Sequence, residues 1–444
     1  MAKIPHIGII SLGCSKNLVD SERLTSVLVA KGYAIADDYE SADLVVINTC
    51  GFINDAQMES CQAIDEALKE VRYVIVCGCL GHEREQILKL FPRVFAVLGP
   101  SMRTGVLRAI AQAVGEPPIE ARQRVAHSGI KLTPRHYSYV KVAEGCDHGC
   151  SFCIIPTLRG RQISRSVESI VKECADLVEN GTRELLLISQ DTSDYGTDLK
   201  DGTNLETLLN ALSGLKAWVR LHYMYPNRLA DRAVELMAEG KVLPYIDVPF
   251  QHANARILKL MKRPHNLERT LRTIEKWRSV CPDIAIRSTF IVGFPTEREI
   301  EFQELLDFLK EARLSRVGCF AYSEVHGAEA NNLKRHVRDS VKQERLTRLM
   351  KTQEEISRQN LLERVGKEYT LIIDEVTERG TAVARSKYES PDVDGEITVE
   401  NAQGLRPGDF VRATITTSGV HDLTAKISPP TSKNAIHFKQ RQSK

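Results

Sequence analysis

From His6 onward, short β-rich apolar runs alternate with amphipathic helical stretches, a pattern that admits few folds other than α/β layers with parallel strands. The first section reads as strand "HIGIISLGC", helix "NLVDSERLTSVLVAKG", strand "DLVVINTC", helix "DAQMESCQAIDEALKEV" and strand "YVIVCGC", then a helix, strand "VFAVLG" and a final helix. It predicts a doubly wound α/β domain over residues 1–115. Residues 116–136, with prolines, scattered charge and no apolar period, read as a linker. The alternation then resumes, with strands expected near 137–145, 184–190, 218–225, 245–250, 285–293 and 316–322. Six β/α units within 137–335 suit an incomplete parallel barrel better than an eightfold one. A long charged helix within 336–364 is expected on the barrel exterior. Past Val365, "EYTLIIDEV", "GTAVARS", "GEITVE", "DFVRATITTSG" and "LTAKIS" predict a small OB-like β-barrel over 365–430, followed by a basic tail, 431–444.

No apolar run among the 444 residues approaches the roughly 18 to 20 that a membrane-spanning helix needs, and the first fifteen residues do not read as a signal peptide. A cytoplasmic, reducing setting is therefore expected, in which clustered cysteines among the eleven point to metal or redox chemistry rather than disulfides. The net charge of +2 neither demands nor excludes a nucleic-acid partner.

The segment "EGCDHGCSFCIIP" places Cys146, Cys150 and Cys153 at the end of the first barrel strand, on the rim where barrel enzymes build their sites. One reading is a structural zinc loop, but zinc wants four ligands, and His148 would have to fold back within a four-residue span to serve. Three thiolates suit a cubane 4Fe–4S cluster better, because the fourth iron stays open for an exogenous ligand. The N-terminal section repeats another placement: Cys14, Cys50 and Cys79 each end a strand, with Gly13, Gly51 and Gly78 beside them. Carboxyl ends of strands converge on one crevice in a doubly wound sheet, so these three can form a second site that also leaves an iron free, a place to hold sulfur for transfer. Cys61, Cys77, Cys174, Cys281 and Cys319 read as small hydrophobic fillers.

The loop "CDHGCSFC" resembles the CxxxCxxC loop of the radical S-adenosylmethionine enzymes. That resemblance implies a partial parallel barrel, S-adenosylmethionine chelated to the open iron, and its cleavage to a 5′-deoxyadenosyl radical. It also implies that Phe152 packs near the adenine, and that Gln190, Asp191, Gln251 and Ser288 lie where cofactor contacts are expected. Each of these four reads equally as a buried polar group satisfying loop backbone. The words "SLGCSKNLVDSE", "NTCGFI", "KLTPRHYSYVKVAEGC", "CIIPTLRG", "SQDTSDYG" and "LDFLKEARLSRVGCFAYS" make the whole chain similar to the RimO family of methylthiotransferases. One departure is Thr296 in "GFPTE", where the family commonly has glycine at a turn of close backbone approach; Glu297 is retained.

The family resemblance implies two 4Fe–4S clusters, S-adenosylmethionine as methyl donor and radical source, a TRAM-like terminal barrel, and methylthiolation of the β-carbon of an aspartate in the twelfth protein of the small ribosomal subunit. It implies a sulfur source and a reductant such as flavodoxin or ferredoxin as partners, and no membrane. No side chain is expected as catalytic acid or base, because that β C–H lies beyond any tuned base. Nothing in the sequence requires more than a monomer. Two alternatives share parts of this pattern: a transfer RNA adenosine methylthiotransferase, and a non-catalytic iron–sulfur protein that binds the ribosome. Between 365 and 428, seven Lys/Arg stand against eleven Asp/Glu, an imbalance that repels phosphates and complements a basic ribosomal protein.

Overall fold

The computed structural model describes residues 4–51, 54–100, 103–126 and 129–429; the basic tail at 431–444 lies outside them. Its N-terminal unit is a parallel sheet of five strands, His6–Ser11, Ala34–Ile35, Leu44–Thr49, Val74–Gly78 and Ala96–Val97, ordered 2-1-3-4-5. Leu44–Thr49 and Val74–Gly78 are buried on every residue, as strands covered by helices on both faces must be. The strand order reverses between His6–Ser11 and Leu44–Thr49, which puts the topological switch point where Cys14 and Cys50 emerge. Ala34–Ile35, a two-residue edge, is an addition to the expected strands, too short to show any period.

The segment expected as a linker lies against the N-terminal unit. Ile130 N donates to Ser26 Oγ at 2.7 Å, and Leu132 N donates to Glu22 Oε1 at 2.8 Å.

All six expected barrel strands are present: Tyr137–Lys141, Glu184–Ile188, Trp218–Leu221, Tyr245–Asp247, Ala285–Val292 and Arg316–Ala321. They pair in parallel as two groups of three, joined where Leu243 N donates to Val219 O and Met224 N to Asp247 O, both at 2.8 Å. Helices pack outside on one continuous core that includes Val140, Leu185, Leu187, Ile286 and Phe290. The helix Asp339–Leu362 adds Leu349 and Ile356 to that core from the exterior, as the sequence predicts.

The five C-terminal strands, Glu368–Val376, Ala382–Arg385, Ile397–Glu400, Phe410–Ser418 and Leu423–Ile427, close into a barrel. It sits against the amino ends of the larger barrel's strands. Arg385 pairs with Glu184 at 2.6 Å and with Asp374 at 2.7 Å, and Arg220 pairs with Glu184 at 2.7 Å, with almost no solvent reaching either arginine. Tyr245 Oη donates to Asp394 at 2.7 Å, and Glu389 accepts from Arg316 and Arg364. Asp374, Glu389 and Asp394 are therefore turned inward. The acidic surplus counted over 365–428 overstates what a partner meets, because composition does not record which charges are consumed in docking the barrel.

Burial pushes the Glu389 carboxyl up, but Arg364 and Arg316 outweigh it and hold it down at about 2, against an ordinary value of 4.5. A depressed carboxyl contributes stability above its unfolded pKa, and that contribution fades as pH falls from about 4.5 toward about 2. Acid titration is expected to release the terminal barrel in this window, read by hydrogen exchange of Ala382–Arg385. Arg385→Met, which leaves Asp374 and Glu184 each short of a buried partner, is expected to cost about 3–5 kcal/mol in a denaturant titration.

Candidate iron–sulfur site

Cys14 stands at the N-cap of the helix Ser15–Lys31, with extended backbone and its carbonyl accepting from Asn17 N and Leu18 N. Gly13 precedes it at φ +85°, and a Cβ there would lie 2.6 Å from Cys50 Cβ and 2.8 Å from its Sγ. A Cβ on Gly51 would meet the backbone of Cys79 and Leu80 at 2.9–3.1 Å. Only glycine lets these three strand ends approach so closely. Asn17 locks them together, its Nδ2 donating to Leu12 O and Thr49 O at 3.0 Å each. Desolvation by the surrounding protein pushes the Cys14 thiol up, but the Lys16 ammonium, backbone N–H groups of Asn17 and Lys16, and Arg159 outweigh it and lower its pKa. Cys79 is raised by burial, with Arg159 opposing. Beside Cys79 opens a cavity of about 160 Å³, lined by Gly51, Leu80, Ile154, Leu158 and Val325 among others.

On the barrel rim, Cys146 N donates to Gly160 O and Cys153 N to Cys150 O, both at 3.1 Å, folding the loop back on itself. Burial pushes Cys146 up to about 11 and Cys153 up to about 12, and neighbouring thiols of the same loop add to both. Arg263 Nη1 reaches Cys150 Sγ at 3.8 Å, and its guanidinium lies 4.0 Å from the Tyr225 ring centre. His148 stacks on the same ring, Tyr225, at 3.8 Å between ring centres, and its Nε2 meets Asp191 Oδ2 at 2.5 Å. It belongs to a carboxylate pair rather than to the thiols.

The donor sets fit a cluster better than a single ion. A tetrahedral zinc about 2.3 Å from each sulfur would draw the sulfurs to about 3.8 Å apart. Among the described residues, His148, Asp191 and Asp194 bring ligand atoms within 4.8 Å of one another, and neither cysteine triad does so. A cube, whose thiolates bind different irons, keeps them farther apart.

The remaining expected contacts are spread around the same rim. Phe152 packs against the group that includes Leu258, Met261 and Phe294. Gln190 donates to Glu144 at 2.9 Å, and its buried Oε1 has no partner among the described residues. Asp191 is taken up by His148 and by Ser193. Gln251 has φ +72° and bridges to Phe290, while Ser288 Oγ accepts from Phe250 N at 3.0 Å. Thr296 adopts φ +73°, the left-handed region that glycine favours, and Arg256 grips its hydroxyl and carbonyl at 2.9 Å each. The close turn is thus kept without glycine, and Glu297 accepts from Gly293 N and Phe294 N behind it.

Sequence reasoning missed the residues that join the two triads. Arg159 ends the short helix Ile155–Arg159 that follows Cys153. Its guanidinium donates to Asn17 Oδ1 at 2.7 Å, Glu144 at 2.9 Å and Asp20 at 3.1 Å, and reaches Cys79 Sγ at 3.7 Å. Ile154 and Leu158 pack directly on Cys79, together with Val325 and Ala328. The word "CIIPTLRG" held the signal, but nothing in its spacing names partners more than 60 residues away.

Comparisons with known proteins follow the same division. Residues 140–309 match the Radical SAM superfamily, 6–99 match Uncharacterized protein family UPF0004, and 365–427 match the TRAM domain. Part of the fold recurs at 14% identity and a TM-score of 0.54 in TsrM, a radical S-adenosylmethionine methyltransferase from Kitasatospora setae solved with cobalamin and a 4Fe–4S cluster; the match covers 73% of this chain and 74% of that one. These matches make the chain a radical S-adenosylmethionine enzyme, a class that uses a 4Fe–4S cluster and S-adenosylmethionine. Relatives described as ribosomal protein uS12 methylthiotransferase RimO are 50% identical in Aromatoleum aromaticum (96% of this chain, 98% of the relative) and 48% identical in Escherichia fergusonii (95% and 99%). The chain belongs to the RimO family of ribosomal protein uS12 methylthiotransferases.

Gly13→Ala forces a side chain into the Cys50 contact at a left-handed backbone position and is expected to cost about 1–3 kcal/mol. In iron-free protein it should slow bridging of Cys14 to Cys50 by a dithiol-selective arsenical, mapped by mass spectrometry, while the Cys146–Cys153 loop reacts as before.

Proposed function

We propose that this chain methylthiolates the β-carbon of an aspartate in ribosomal protein uS12, using two 4Fe–4S clusters held by Cys146, Cys150 and Cys153 and by Cys14, Cys50 and Cys79. The observation that carries this reading is the contact between the triads: Ile154 and Leu158, which follow Cys153, lie on Cys79, and Arg159 reaches its sulfur. A radical made at one site and a sulfur held at the other need such nearness. Bound at the rim, the cluster and S-adenosylmethionine supply one-electron chemistry that removes hydrogen from an unactivated C–H.

The chain's own residues bind, orient and exclude water. Phe152, Gln190, Asp191, Gln251 and Ser288 are assigned to the S-adenosylmethionine pocket, and the unpartnered Gln190 Oε1 leaves an acceptor for a donor on the cofactor. The Asp191–His148–Tyr225–Arg263 stack stiffens the loop of Cys146, Cys150 and Cys153. Ile154, Leu158, Val325 and Ala328 give Cys79 an apolar wall on the side of the rim loop. No acid or base is assigned. In this reading residues 1–115 carry the sulfur-donating site, 137–335 the radical site and 365–430 the TRAM-like barrel, with the linker at 116–136 and the connecting helix at 336–364. The enzyme works as a cytoplasmic monomer with a sulfur source and a flavodoxin- or ferredoxin-type reductant. Among the described residues no helix is long and apolar enough to cross a membrane.

Mass spectrometry of uS12 and of digested transfer RNA from a deletion strain tests the substrate: loss of the methylthio group from uS12 is expected, and its loss from the nucleosides alone would reverse the assignment. Anaerobic reconstitution is expected to load about twice the iron of a single cluster. Cys14→Ala with Cys50→Ala and Cys79→Ala should halve that iron while 5′-deoxyadenosine still forms; if no 5′-deoxyadenosine forms even with the unaltered chain, a non-catalytic role is indicated.

A further inference from the structure

Lys16 lies two residues beyond Cys14 in the first turn of its helix, only 9% exposed. Other cations at this junction are neutralised: Lys141 pairs with Asp20 and Glu144, and Arg159 with the same two carboxylates. Among the described residues no carboxylate pairs with Lys16. Its Nζ instead sits 3.0 Å from the ring centre of Tyr223. A ring face returns about 0.5–2 kcal/mol to a cation, whereas withdrawing an ammonium from water costs several kcal/mol. Tyr223 is itself costly, held at φ +59° just past the end of the barrel strand Trp218–Leu221. Its N–H donates to Asp247 at 3.3 Å, and its carbonyl accepts from Thr192 at 2.9 Å; its hydroxyl is 3.5 Å from Ser15 Oγ. An ammonium with no carboxylate partner among the described residues and a strained aromatic residue thus coincide on the carboxyl rim of the barrel, facing the Cys14 strand end, and strain of this kind collects at ligand sites.

We propose that Lys16 Nζ binds the carboxylate of the substrate aspartate, and so selects the side chain that receives the methylthio group. The proposal rests on uS12 being the substrate. The carbon to be modified is bonded directly to the carboxylate carbon, so an ion pair at about 2.8 Å holds it within about 5 Å of Nζ, beside Cys14. The reaction leaves the carboxylate unchanged, so the same contact persists from substrate to product. An uncharged amide cannot neutralise the buried ammonium, which makes asparagine the natural test of selection.

The experiment uses reconstituted enzyme, purified uS12, and uS12 in which the modified aspartate is replaced by asparagine. Dissociation constants and methylthio incorporation are measured for the unaltered enzyme, Lys16→Met and Lys16→Arg, with iron and sulfide content determined for each. Lys16→Met keeps the aliphatic stem on Tyr223 and removes the charge. The unaltered enzyme is expected to favour the aspartate form by about tenfold or more. Lys16→Met should lose that preference at full iron content, and Lys16→Arg should keep it. Retained preference in Lys16→Met overturns the proposal, as does loss of iron in that variant, which would place the ammonium in the service of the cluster. If the unaltered enzyme modifies neither form of uS12, the substrate reading itself fails instead.

Discussion

A buried guanidinium ties the two cysteine-bearing units together. Arg159 follows directly from the rim loop, and its partners Asn17 and Asp20 lie on the helix capped by Cys14, while Glu144 belongs to the strand segment entering Cys146. A cation withdrawn from water must meet acceptors in good geometry, so these contacts hold one unit at one angle on the other. Because the anchors flank ligands of both triads, the same contacts define the space between them. Glu144 records the strength of this arrangement: burial would raise its carboxyl, yet Lys141 and Arg159 hold it down at about 2. Lys16 departs from the pattern, carrying charge into the same junction with no carboxylate partner among the described residues.

At the other end of the large barrel, charge serves a different purpose. Six strands leave an open barrel whose amino end would expose Glu184, Arg220 and Tyr245. The terminal barrel supplies complementary groups, Arg385, Lys387 O and Asp394, and so closes that end. The chemistry occupies one rim and the structural ion network the opposite one, which lets each have the charge pattern it needs. The choice of substrate accordingly rests on the relatives, with the acidity of the terminal segment contributing little.

Much of the fold was legible because apolar period is a local property. The five C-terminal strands and the six central ones follow from alternation and turn residues, whereas Ala34–Ile35 and the pair Ala143–Glu144 with Ile163–Ser164 are too short to show one. The rim cysteines were legible for the same reason, lying within eight positions. The strand-tip cysteines needed one further step, the rule that carboxyl ends of parallel strands share a crevice. His148 shows the same limit from another side: the short span already made it a poor fourth ligand, but only the fold shows that the ring turns to Asp191 and Tyr225.

The sequence by itself determined the layers, the strand ends on which the six cysteines sit, and the family, because each depends on residues close together along the chain or on words shared across it. Only the tertiary structure decided that Arg159 spans the triads, that Asp374, Glu389 and Asp394 face inward, and that Lys16 lies on Tyr223 with no carboxylate partner among the described residues. Those facts concern groups brought together from distant positions, and whether a charge is paired or exposed depends on every element packed around it.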